Sequence, residues 1–289
     1  MFQKTITLPQ EFVFKNENLK TMIDTLDQLS KLWQKKIYID FSLIKQVRKG
    51  DLMVLMAQLE NLAIKKKQII FKDKIPKNVH DLFSAKVVHF KTNTNILNDA
   101  NIARKVNPSI VENIVQDLRR LGINKNSPFG YAFYERMKAL IVEIMGNAVE
   151  HGICNRKINY WLTSEIDRKN EQMVVTFVDM GKGIAYSHKK SKLPLKYRIT
   201  GWFSDNKIVI DSLFGKLPSS TQEPNRGKGL PEIKKIIEMG FVSEFVLVTN
   251  RTLIQYKDNQ FISTKVANFK GTYYCWTINK NNFEKWKTL

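Results

Sequence analysis

The sequence predicts an α/β protein of two domains, and three observations lead there. The chain has 289 residues, which at roughly 150 residues per domain gives room for two buried cores. Strand-like and helix-like stretches alternate along its first part, as expected for a sheet with helices packed on it. The second part places a long apolar helix pattern ahead of β-rich runs at 173–179 and 272–278.

Taken in order, Phe2–Leu8 alternates in the manner of a strand, and Asn18–Leu32 spaces Leu19, Met22, Ile23, Leu26 and Leu29 as one helix face. Lys36–Leu43 contains the β-rich run Ile37-Tyr-Ile-Asp-Phe41. A second amphipathic helix is expected at Asp51–Ile64, then a strand at Gln68–Lys72 and a short helix near Asn78–Ala85. Lys91–Lys105 is polar and rich in Asn, and Asn107-Pro108 opens a helix over Ser109–Leu121. The domain boundary therefore falls near residue 105, dividing the chain into 1–105 and 106–289. Gly122–Gly130 reads as the next loop.

Composition narrows the function classes. With 43% apolar and 26% charged residues, the chain has the make-up of a folded protein. No run approaches the roughly 20 apolar residues that cross a bilayer, and Met1–Gln10 lacks a secretory signal, so no membrane association and a cytoplasmic location are expected. Cys154 and Cys275 are far apart and are expected to stay reduced; His80, His89, His151 and His188 form no pair at zinc-ligand spacing. The net charge of +20 favours polyanionic partners such as nucleic acid. The lysines are scattered, however, so a solvated basic surface is the preferred account.

The chemistry concentrates in three motifs. In Leu140-Ile-Val-Glu-Ile-Met-Gly-Asn-Ala-Val-Glu-His-Gly152, about 100° per residue brings Glu143, Asn147, Glu150 and His151 to one side of a helix opposite an apolar face. Asn is a mediocre helix former, and its amide oxygen can ligate Mg²⁺ without adding charge beside a triphosphate. Glu143 would then orient or deprotonate a water. Alone, this is an ordinary amphipathic helix. The second motif, Met173-Val-Val-Thr-Phe-Val-Asp-Met-Gly-Lys-Gly-Ile184, is a strand ending in Asp179 and turning through Gly181 and Gly183. A carboxylate there can accept a hydrogen bond from the exocyclic amine of adenine, and the glycines allow the backbone close to the base. The third, Asn225-Arg-Gly-Lys-Gly-Leu-Pro-Glu-Ile-Lys-Lys-Ile-Ile237, is a helix opened by Gly227 and Gly229 with Leu230 and Pro231 in its first turn. Its free N–H groups and the charges of Arg226 and Lys228 suit phosphates.

Together and in this order, the motifs resemble the N, G1 and G2 boxes of the GHKL (histidine-kinase-like ATPase) superfamily over about residues 107–280. The resemblance implies an α/β sandwich with a mixed sheet under helices, and ATP and Mg²⁺ as ligands. It assigns Glu143 as the water-activating base, Asn147 as the Mg²⁺ ligand and Asp179 as the adenine-reading carboxylate. Gly181 and Gly183 become the base-contacting turn, and Gly227 and Gly229 the phosphate-side turn. Gly271-Thr272 is similar to the family's closing Gly-Thr pair, which puts Thr272 near the adenine. Ala185–Arg226 corresponds to the nucleotide lid, which carries the basic run Lys189, Lys190, Lys192, Lys196 and Arg198. No Gly-x-x-x-x-Gly-Lys-Ser/Thr is present, and the Gly-x-Gly pairs lack a third glycine.

The N-terminal part resembles STAS-type regulatory domains on the run Ile37-Tyr-Ile-Asp-Phe-Ser42 followed by Gly50-Asp-Leu-Met-Val-Leu-Met56. Where regulatory members carry a phosphorylated serine, this chain reads Arg48-Lys-Gly-Asp51. A docking or sensing role without a phosphoacceptor is expected. Three functions stay open, ranked as an ATPase whose nucleotide state controls lid order or a partner, a protein kinase of the anti-sigma-factor type, and a nucleic-acid-associated module with regulatory ATP binding. The protein partner and homodimerisation are left open by the sequence.

Overall fold

The computed structural model describes residues 3–14, 18–64, 67–72, 75–77, 79–80, 108–151, 160–189, 197, 202–217 and 229–288. The expected domain boundary, Asn78 and 81–85 of the short helix expected near Asn78–Ala85, Cys154 and His89 lie outside these residues, while Val79 and His80 of that helix are described and helical. So do Lys190, Lys192, Lys196, Arg198, Arg226, Gly227 and Lys228, together with the side chains of Glu150 and His151.

The N-terminal elements are β1 (Gln3–Thr7), β2 (Glu11–Phe12), α1 (Leu19–Lys31), β3 (Lys36–Asp40), β4 (Gln46–Val47), α2 (Lys49–Ile64) and β5 (Gln68–Phe71). β1, β3 and β5 form a parallel sheet in that order, with Tyr38 opposite both Thr5 and Ile70. Each strand-helix-strand step returns the chain to the sheet in the same direction, which is what a helical crossover does.

The chain continues through α3 (Pro108–Gln116), a 3₁₀ turn Asp117–Leu121 ended by left-handed Gly122, and α4 (Pro128–His151). Next come β6 (Tyr160–Asp167), β7 (Gln172–Asp179), α5 (Ile184–Lys189), α6 (Trp202–Leu213), α7 (Gly229–Glu238), β8 (Ser243–Lys257), β9 (Gln260–Asn279) and α8 (Lys280–Lys287). The second sheet has the order β6-β7-β9-β8, and every pairing in it is antiparallel among the described residues. This corrects the expected mixed sheet. β7 and β8 run the same way, as a helical crossover requires, but β9 is inserted between them and pairs with both.

All eight residues of β7 are buried, because both faces of this sheet are covered. Met173, Val175 and Phe177 face a core built with Leu140, Ile144, Met145 and Ala148 of α4 and Ile233, Ile236 and Ile237 of α7. Val174 and Val178 face the other way, into a core shared with Met22, Ile23 and Leu26 of α1 and Leu52, Met53 and Met56 of α2. The N-terminal helices therefore lie between the two sheets.

That position corrects the expectation of an amphipathic second helix. Every residue from Gly50 to Leu59 is buried, Asp51 and Gln58 included, as in a helix enclosed on all sides. Its N-terminal turn seats against the second sheet. A Cβ on Gly50 would collide with Thr176 Oγ1, so only glycine permits this approach. Arg48 makes a two-point ion pair with Asp51 at 2.7 and 2.9 Å and donates to Phe14 O at 3.1 Å. Lys49 N donates to Glu165 Oε2 at 3.0 Å, so a carboxylate from β6 caps α2 at its positive end. The Arg48–Asp51 turn thus holds the two parts of the chain together. No helix among the described residues is long and apolar enough to cross a membrane.

Candidate functional site

Side-chain alternation fixes which face of the second sheet carries the site. Asp179 follows Val175 and Phe177 in the odd-numbered set, so it lies on the α4 side. Thr272 is its register partner on β9, in the even-numbered set with Tyr274 and Trp276. The strand end and the closing strand thereby meet under the helix layer.

α4 and α7 meet on that layer. They pack through their apolar faces and are tied at the edge by Arg136 Nη1 to Glu232 Oε1 at 3.7 Å. The first residue of α7, Gly229, lies directly against two side chains of α4. An added Cβ would lie 2.9 Å from Glu143 Oε2, 3.1 Å from Asn147 Oδ1 and 3.2 Å from Asn147 Nδ2. Glu143 and Asn147, one turn apart on α4, therefore face the N-terminus of α7, whose first N–H groups have no partner within the helix. Asn147 Nδ2 is buried and has no hydrogen-bond acceptor among the described residues. Leu230, the next helix residue, packs partly buried against the same core.

Asp179 is buried to 6% exposure, and its Oδ1 accepts from Gly181 N at 2.7 Å. Burial pushes its carboxyl up to about 7, while hydrogen bonds from Gly181 N and from the hydroxyl and N–H of Thr272 pull in the opposite direction. Gly183 sits at φ +79°, in the left-handed region. The backbone of Gly271 passes so close to Asp179 that a Cβ would overlap its carbonyl oxygen.

The structure brings together Glu143, Asn147 and Gly229 as one group, and Asp179, Gly181, Gly271 and Thr272 as another, on one face of one sheet. Lys189, expected in a solvated basic lid, is instead the last residue of α5 and pairs with Asp205 at 2.5 Å. Among the described residues no three His, Cys, Asp or Glu side chains gather as a metal cage.

Two residues at this site have no signal in the sequence. Thr249 Oγ1 accepts from Ile184 N at 3.0 Å and reaches Gly271 O at 3.2 Å. Asn250 Oδ1 accepts from Ala185 N at 3.1 Å, and its Nδ2 donates to Lys182 O at 2.9 Å. Both stand on β8, remote in sequence from the turn they hold. The only hint is an Asn in a strand, a residue type that tolerates left-handed backbone.

No family model matches the sequence, and no curated protein matches it. Among solved structures, the histidine kinase domain of a blue-light activated histidine kinase from Erythrobacter litoralis is similar at 13% identity and a TM-score of 0.31, covering 93% of this chain and 96% of that one. A structure of the blue-light activated histidine kinase itself gives 15% identity and a TM-score of 0.29 over 85% of this chain, which spans 63% of that protein. At such scores the backbones differ widely, and the functional reading rests on this chain's own geometry.

Proposed function

We propose that the chain is an ATP-binding protein of GHKL type that hydrolyses ATP with Mg²⁺, and that its STAS-like N-terminal part docks or senses a partner. The observation that carries this reading is the seating of Gly229 on Glu143 and Asn147, because it joins a helix N-terminus to an amide that can ligate a metal and a carboxylate that can act as a base.

The residues fit nucleotide and metal. Asn147 has a buried amide donor with no acceptor, which a phosphate oxygen would satisfy, and its Oδ1 would serve as a neutral ligand to Mg²⁺. When bound, Mg²⁺ would neutralise charge on the phosphates, with water and phosphate oxygens completing its ligands. The N-terminus of α7 offers N–H groups and its positive dipole end to the anion. Glu143 stands beside that helix start, where a carboxylate can hold a water and take its proton. Asp179, once ionised, accepts from the exocyclic amine of adenine. A purine with oxygen at that position would set acceptor against acceptor, at a high cost in a buried site.

The test is calorimetric titration with a non-hydrolysable ATP analogue, with and without Mg²⁺, on the wild-type chain and on Asp179→Asn. Affinity that falls in the variant supports the assignment, and undiminished affinity overturns it.

A further inference from the structure

The β8–β9 ladder slips in register on both sides of Asn250, where the backbone adopts φ +52°. The extra residues lie on β9, where Thr249 pairs with Thr272 and Asn250 with Phe269, and the Asn250 side chain reaches the Gly181–Ala185 turn. One amide then spans Gly183, donating to Lys182 O on one side and accepting from Ala185 N on the other. The Gly183 backbone lies so close that an added Cβ would stand 2.5 Å from Asn250 Oδ1. Thr249 beside it links Ile184 N to Gly271 O, so these two residues pin both backbone segments that surround Asp179.

The turn is also bound to the carboxylate itself, since Gly181 N donates to Asp179 Oδ1 at 2.7 Å. Together with the hydrogen bonds from Thr272, the placement of the turn sets how the Asp179 carboxylate is oriented. Because Asp179 is buried, a small rotation of its carboxylate would cost the geometry on which discrimination between bases depends.

We infer that Asn250 is a positioning residue for base recognition: it clamps the Gly181–Ala185 turn so that Asp179 presents its carboxylate to the exocyclic amine of adenine. This inference rests on the proposed adenine-nucleotide site. The amide acts through the turn and does not touch the base. The residue type suits the place twice over, because Asn tolerates the left-handed backbone and supplies a donor and an acceptor on one planar group.

The test compares non-hydrolysable analogues of ATP and ITP, the latter lacking the exocyclic amine, by titration on wild type and on Asn250→Gly, which keeps the backbone conformation and removes the amide. Loss of two hydrogen bonds should weaken the ATP analogue about tenfold while leaving the ITP analogue nearly unchanged, so the preference for adenine collapses by the same factor. A purely structural role would weaken both analogues alike or lower only the melting temperature, and either result overturns the inference. Should the glycine variant not fold, Asn250→Asp carries the test. It keeps the acceptor for Ala185 N and loses the donor to Lys182 O, so the preference should fall about threefold, and an unchanged ratio overturns the inference. A wild-type chain that binds neither analogue would remove the nucleotide site itself, whereas retained adenine preference in a folded variant removes only the role of Asn250.

Discussion

Gly229 opens a helix directly against Glu143, and a Cβ there would come within 2.9 Å of Glu143 Oε2. The obstructing atom is the tip of a flexible side chain, so the conflict is resolved by moving the carboxylate. Gly229→Ala should leave the melting temperature nearly unchanged, since the flexible carboxylate can move aside. On the proposed hydrolytic reading, ATP turnover should fall at least about tenfold, because the displaced carboxylate leaves the position proposed to hold the water. Thermal melts and steady-state phosphate release measure the two effects separately.

Glu143→Gln removes the proposed base and keeps the side-chain volume. Nucleotide affinity should persist while turnover drops roughly a hundredfold or more, the usual worth of a positioned base. A variant that still hydrolyses ATP at the wild-type rate would show that the proton goes elsewhere.

The raised carboxyl of Asp179 makes two opposite demands on pH. Without nucleotide, a group whose folded pKa is lifted to about 7 favours the folded state while protonated, so stability falls as pH rises from about 4 to about 7. The full loss has an upper bound of about 4 kcal/mol. Asp179→Asn should therefore raise the melting temperature of the nucleotide-free protein at pH 8. The proposed adenine contact needs the ionised acceptor, so wild-type affinity for the ATP analogue should climb with pH through about 7. A flat affinity profile between pH 6 and pH 8 would contradict this role.

Asp51 is wholly buried and is the carboxylate partner of Arg48. Asp51→Ala leaves the guanidinium enclosed without its counter-charge and should cost about 3 kcal/mol in urea unfolding. The double variant Arg48→Met with Asp51→Ala should recover much of that loss, since the uncompensated charge goes with the arginine.

Much of the site is legible in the sequence. The 3.6-residue period places Glu143 and Asn147 on one face of α4, and the apolar run ahead of Asp179 marks a buried strand end. The second helix is not legible in the same way, because Asp51, Gln58 and Asn61 suggest a wet face, yet each is enclosed. Asp51 is matched by Arg48, and Asn61 Oδ1 accepts from Lys270 Nζ at 3.4 Å. Such partners are chosen by packing between distant segments, which no local period encodes. The insertion of β9 between β7 and β8 is of the same kind. Asn250 carries no local signal because its purpose lies 65 residues away in the chain, at Ala185.

The sheet that carries Asp179 wears the N-terminal helices as its second skin. Trimming the chain to its later portion would bare Val174, Val178, Val248 and Tyr273 as one wide greasy panel, a surface that drives clumping. Bisecting this protein would thus not give two working halves.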